Sequence, residues 1–145
     1  MKLMILILLE MVLLMNSFED MIKTAELASR KTEDIIYDEF YNVGIECVAE
    51  IKANEPVVTG NLRRSITSGE VELNGNEYSM TVGSSLSYAR YAEEGHKQEV
   101  GKYVPAIGKK LKKEFVPGNH VIKDSVDLHQ SKLIKRIQER VEKEV

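Results

Sequence analysis

The stretch PVVTGNLRRSI, Pro56–Ile66, decides how the chain folds, because the hydrophobic pattern changes period across it. Upstream, Phe18, Met21, Ile22, Ala25 and Ala28, then Ile36, Phe40, Val43, Cys47 and Ile51, recur in steps of three and four. That spacing lines one face of a long helix. Lys23, Glu26, Arg30, Glu33, Asp34 and Lys52 occupy the other face. Ser17 suits the helix start, with Glu19 and Asp20 facing the positive end of the dipole. Gly44 weakens the middle by roughly 1 kcal/mol relative to alanine. The helix ends by Glu55, since the residue before a proline is pushed out of the α region. Thr59-Gly60 then turns the chain, and Leu62 and Ile66 return it to the core where a sheet begins.

Downstream the period is two. Val71 and Leu73 alternate with polar neighbours, and LNGN, Leu73–Asn76, signals a hairpin around Asn74-Gly75. The return strand EYSMTVG puts Tyr78, Met80 and Val82 on one face. A two-stranded ribbon is marginal alone, so that face must pack on the long helix. SYARYAEEGHK, Ser87–Lys97, reads as a short amphipathic helix capped by Gly95. HKQEVGKYV reads as a mobile polar loop, and Pro117-Gly118 as a turn. A last helix starts at about Val121, with an apolar stripe of Ile122, Val126, Leu133, Ile137 and Val141. The expected fold is α+β: a long N-terminal helix on a small antiparallel sheet, a short central helix and a C-terminal helix.

The chain has 145 residues, 43% hydrophobic and 30% charged, the composition of one globular domain. A net charge of -3 argues against generic nucleic-acid binding. The single cysteine, Cys47, allows no intrachain disulfide and sits where a buried inert thiol is expected. His96, His120 and His129 form no metal-type pair, and no cofactor is implied. The opening MKLMILILLEMVLLM is apolar to Met15 except for Lys2 and Glu10. It is short for a membrane span and lacks a cleavage site. A misassigned start with translation from Met15, a packing helix, and a targeting or membrane segment of a small exported or membrane-anchored adaptor all stay open. Residues 1–16 therefore read as an apolar leader and 17–145 as one domain.

Four groups are candidate sites. Arg63 and Arg64 beside Thr59-Gly60 have the chemistry of a phosphate contact. They lack the glycines and the Lys-Ser/Thr of a phosphate loop, so a capped connector is the plainer reading. Glu93, Glu94 and His96 could form an acid/base cluster, but no nucleophile or oxyanion hole accompanies them. Lys109, Lys110, Lys112 and Lys113 are the densest positive run, without interleaved aromatics for stacking on bases. They suit a solvated loop or short helix, or an acidic neighbouring subunit. Tyr88 and Tyr91 share a helical face and suit a core edge or an interface. From the residues alone, this is a binding or structural module and not an enzyme.

Two blocks then resemble a family of tailed-bacteriophage minor tail, neck and tail-completion proteins. Pro56, Val57, Thr59, Gly60, Leu62, Arg63, Ser65 and Ile66 match its Pro-Val-x-Thr-Gly-x-Leu-Arg-x-Ser-Ile motif. Val82, Gly83, Ser84, Tyr88, Ala89, Tyr91, Glu93 and Gly95 match its second block, a Val-Gly-Ser/Thr strand end followed by Tyr-Ala-x-Tyr and Glu-x-Gly. Where many members carry Pro-Phe-x-x-Pro-Ala before the last helix, this chain has FVPGNHVIKDSV. The resemblance implies a structural virion protein, assembled in the host cytoplasm at the head-tail junction. It also implies a homo-oligomeric ring that contacts other connector and tail proteins, with no small-molecule substrate. The loops near Thr59-Gly60 and Gly95-Gly101 would serve subunit contacts, with Arg63 and Arg64 facing an acidic neighbour.

Overall fold

The computed structural model describes the backbone of residues 2–57 and 59–145, and within that range the side chains from Ser17 onward. Its first element is one helix, α1, Lys2–Asn54. At 1.5 Å per residue it is roughly 80 Å long. It continues straight through Ser17, so Ser17 is not a cap. Pro56 ends it as expected: the last backbone bond runs from Glu55 N to Ile51 O, 2.8 Å.

A short helix, α2 (Asn61–Ser65), follows, and then the strands β1 (Thr67–Ser68), β2 (Glu72–Asn74), β3 (Glu77–Ser79) and β4 (Val82–Gly83). Helix α3 spans Ala89–Glu94. Strands β5 (Gly95–Lys97), β6 (Tyr103–Val104), β7 (Lys109–Lys110) and β8 (Phe115–Pro117) lead to α4, Val121–Glu144. The fold is α+β, with the long helix, small antiparallel sheets, central helix and C-terminal helix read from the sequence.

The core lies where α1, α2, β4 and α4 meet. Cys47, Ile51 and Ile66 are buried there, packed by Val48, Leu62, Val82, Val121, Ile122 and Val126. Along α1 the buried side chains among the described residues are Ile35, Glu39, Val43, Cys47 and Ile51, in steps of four that Glu55 continues just past the helix end, with Gly44 buried beside Val43. A stripe of that spacing drifts around a helix of 3.6 residues per turn. Its upper end therefore falls on Ile35 and Glu39, one residue from the expected Ile36 and Phe40. The drift follows α4, whose Arg136 Nε and Arg140 Nη1 lie 2.8 and 3.0 Å from the Glu39 carboxylate. Further up, Phe18, Met21 and Ile22 are exposed, so this part of the expected apolar face lies open among the described residues.

The β2–β3 hairpin packs on α1 as expected. The Tyr78 ring stands edge-on to Tyr37 with centroids 5.7 Å apart, and tilts against Phe40 at 6.5 Å. The hairpin lies around Asn74-Gly75 as expected: its register pairs Asn74 with Glu77, with Gly75 and Asn76 between them as the two turn residues. Gly75 alone takes the positive φ, 64°, as a turn with glycine at its first central position requires.

The segment read as a mobile loop and a lysine-rich connector is instead one β-arm. His96 faces Val116, Gln98 N bonds Glu114 O, Gly101 N bonds Leu111 O, and Tyr103 faces Lys110. No residue from Lys97 to Phe115 is buried.

Candidate functional site

The two sequence blocks meet at the C-terminal end of α1, held by backbone carbonyls and a few side chains with partners far along the chain. In the first block, Gly60 (φ 80°) opens α2, and Arg64 N bonds Gly60 O at 3.0 Å. Arg63 Nη2 donates to Glu55 O at 2.9 Å, placing its positive charge at the negative end of the α1 dipole. Arg63 thus works inside the molecule. Only Arg64 of the pair is exposed, bonded to Asn61 Oδ1 at 2.6 Å. Pro56, Val57 and Thr59 are exposed on the connecting turn, Leu62 is half-buried and Ile66 is fully buried.

The blocks touch directly. The Ser65 and Ser84 hydroxyls are 2.5 Å apart, and Ser84 also accepts from Leu86 N. Beside them Thr67 pairs with Gly83 and Ser68 with Val82. Ser65, Val82 and Gly83 are all half-buried, at the seam between α2 and β4.

The second block holds α4. The first N–H groups of a helix have no partner within it. Here Glu93 supplies one from 30 residues away: Oε2 accepts from Ile122 N at 3.0 Å and Oε1 from Lys123 N at 2.7 Å. Asn119 Oδ1 takes Val121 N at 3.3 Å. The carboxylate also sits at the positive end of the α4 dipole. In return, Asn119 N and His120 N donate to Ala92 O and Glu93 O, the carbonyls that end α3. His120 adopts φ 52° to make this turn. Gly95, at φ 86°, and Gly118 let the strands pass close to α3. A Cβ at Gly118 would overlap the Glu93 carbonyl, and one at Gly95 the Val116 carbonyl. Finally, buried Glu55 accepts from Asn119 Nδ2 at 3.0 Å, tying the end of α1 to the same turn.

These elements enclose a cleft of about 400 Å³ lined by Pro56, Thr59, Leu62, Arg63, Tyr88 and Pro117. Tyr88 is 43% and Tyr91 58% exposed, so both aromatics face outward rather than into the core. Glu93, Glu94 and His96 do not combine as an acid/base cluster. Glu93 caps α4, Glu94 pairs with Arg90 at 2.8 Å, and the His96 Nδ1 has no hydrogen-bond partner among the described residues. The His96 ring instead packs edge-on to Tyr91. Burial first, and then the charge of Glu50, pushes the Cys47 thiol pKa up, which keeps it inert. Among the described residues no group of three His, Cys, Asp or Glu could hold a metal ion. No described helix is long and apolar enough to cross a membrane.

Sequence reading missed the buried polar residues Glu39, Ser125 and His129. The His129 Nδ1 lies 2.8 Å from Ser125 O and 3.1 Å from Glu50 Oε2. The signal was present: the α4 stripe steps from Val126 to Leu133, and His129 fills the gap at helical spacing.

No curated protein and no solved structure matches the chain. One family model does, described as "Bacteriophage HK97-gp10, putative tail-component", over residues 19–95. That span runs from α1 through α3 and contains both blocks, and it ends at Gly95, where the β-arm begins. The chain belongs to the HK97 gp10-like family of bacteriophage tail components, structural parts of the virion.

Proposed function

We propose that the protein completes the phage neck or tail, assembling in the host cytoplasm as a ring where tail meets head. One observation carries this reading: the less exposed polar side chains of the family blocks, Arg63, Ser65, Ser84 and Glu93, bond within the molecule. Glu93 caps α4, Arg63 closes α1, and Ser65 joins Ser84. Motifs used in this way specify a shaped building block rather than a reaction centre. The outward residues of the blocks, Val57, Arg64, Tyr88 and Tyr91, are the proposed contacts to neighbouring subunits or to other connector and tail proteins. Residues 17–145 are the proposed working domain, with 1–16 accessory to it. Negative-stain imaging and native mass spectrometry of the purified chain test the proposal, beside a chain begun at Met15. Closed rings from both are expected. A monomer at all concentrations would sink the ring, and rings only from the longer chain would sink the boundary.

A further inference from the structure

The β-arm of residues 95–117 is charged unlike the rest of the molecule. It holds six lysines and two glutamates, a surplus of four positive charges. The whole chain carries -3, so the remainder is seven negative. Among the described residues Lys102 pairs with Glu99, while Lys97, Lys109, Lys110, Lys112 and Lys113 have no ion pair. The lysines are also interleaved with apolar side chains. Tyr103 stands opposite Lys110 and Phe115 opposite Lys97, and opposed residues share a face. Val100, Tyr103, Ile107 and Phe115 are each about half exposed or more.

The complementary surface is on the β2–β3 hairpin. No lysine or arginine occurs between Arg64 and Arg90, whereas Glu70, Glu72 and Glu77 do. Register places Glu72 opposite Ser79 and Glu77 opposite Asn74. Alternation then puts both carboxylates on the face opposite Leu73 and Tyr78, away from α1. None of the three glutamates has an ion pair among the described residues.

We propose that the arm of one copy docks on the outward β2–β3 face of the next copy. The inference rests on the ring reading above and names its contact. Such a contact is heterologous: the copies at the two ends of a row keep one free arm and one free acidic face, and the row closes into a ring where the rotation between copies permits. A nucleic acid would take the lysines but leaves the acidic face without a role.

Charge reversal tests this. K109E/K110E/K112E/K113E and E70K/E72K/E77K alter only exposed positions, so circular dichroism should match the parent. Each variant alone should need about ten-fold more protein to assemble in sedimentation velocity. Mixing the two should restore assembly, since acidic arms then meet basic hairpins and the reverse. Parent-like assembly by both variants overturns the docking and leaves the ring standing. A parent chain that never assembles overturns both. If the arm variant assembles normally and loses only retention on a DNA duplex, the arm serves nucleic acid and the inference fails.

Discussion

Glu93 shows how one side chain can hold two elements. Its carboxylate takes the N–H groups of Ile122 and Lys123, and its own carbonyl takes His120 N. Glu93→Ala should therefore lower stability by about 1 kcal/mol, with ~2 kcal/mol as the upper range for a helix cap. Glu93→Gln should fall between, since it keeps an acceptor and loses the charge. Urea denaturation followed by circular dichroism measures this, and an alanine variant as stable as the parent would remove the cap from the account. The sequence marked Glu93 as a motif residue, but not its partners, which lie 29 and 30 residues away. A cap supplied across such a separation leaves no local pattern. The usual signal, a Ser, Thr, Asp or Asn making the bond at the cap position itself, is missing because His120 stands there without a capping bond.

Between elements, α1 and α4 are joined by an ion network as well as by the apolar core. Arg136 reaches Glu46 at 2.7 Å and Glu39 at 2.8 Å, and Arg140 bonds Glu39 and Glu144 at 3.0 Å each. Arg136's hydrogen bond holds the Glu46 carboxyl below its ordinary value of 4.5, against a smaller opposing effect of burial. A folded carboxyl that binds its proton more weakly than the unfolded one stabilises the fold above that ordinary value. The contribution is then lost as pH falls through the lowered one. The melting temperature of the parent should therefore exceed that of Glu46→Gln at neutral pH, and the gap should close on acidification below 4.5. Glu46 is 43% exposed, so the gap will be small, and a gap that widens in acid would contradict the pairing. Both long helices were legible because their faces repeat at helical spacing. The β-arm was not: HKQEVGKYV and KKLKKEFVP lack apolar alternation, and cross-strand backbone bonds hold them. The steps-of-four stripe was half legible, since Val43, Cys47 and Ile51 satisfy either spacing, whereas Ile35 and Glu39 are selected by where α4 crosses.

At the scale of the molecule, α4 ends beside Lys31, whose ammonium bonds the Glu144 carbonyl. From Ser17 to Arg30 no side chain of α1 is buried, and only Ala28 is partly covered. That stretch is roughly 20 Å of helix at 1.5 Å per residue, with almost no packing beneath it among the described residues. A helical segment without tertiary support opens far more readily than one in a core. Trypsin should accordingly cut the dispersed chain first after Lys23 and Arg30, well before Lys52 or Arg136, with mass spectrometry of timed samples giving the order. First cuts within the core of α1 would contradict this. Where a neighbour covers Phe18, Met21 and Ile22, the same bonds become resistant. Protease sensitivity at Lys23 would then report whether a neighbour covers this stretch of helix.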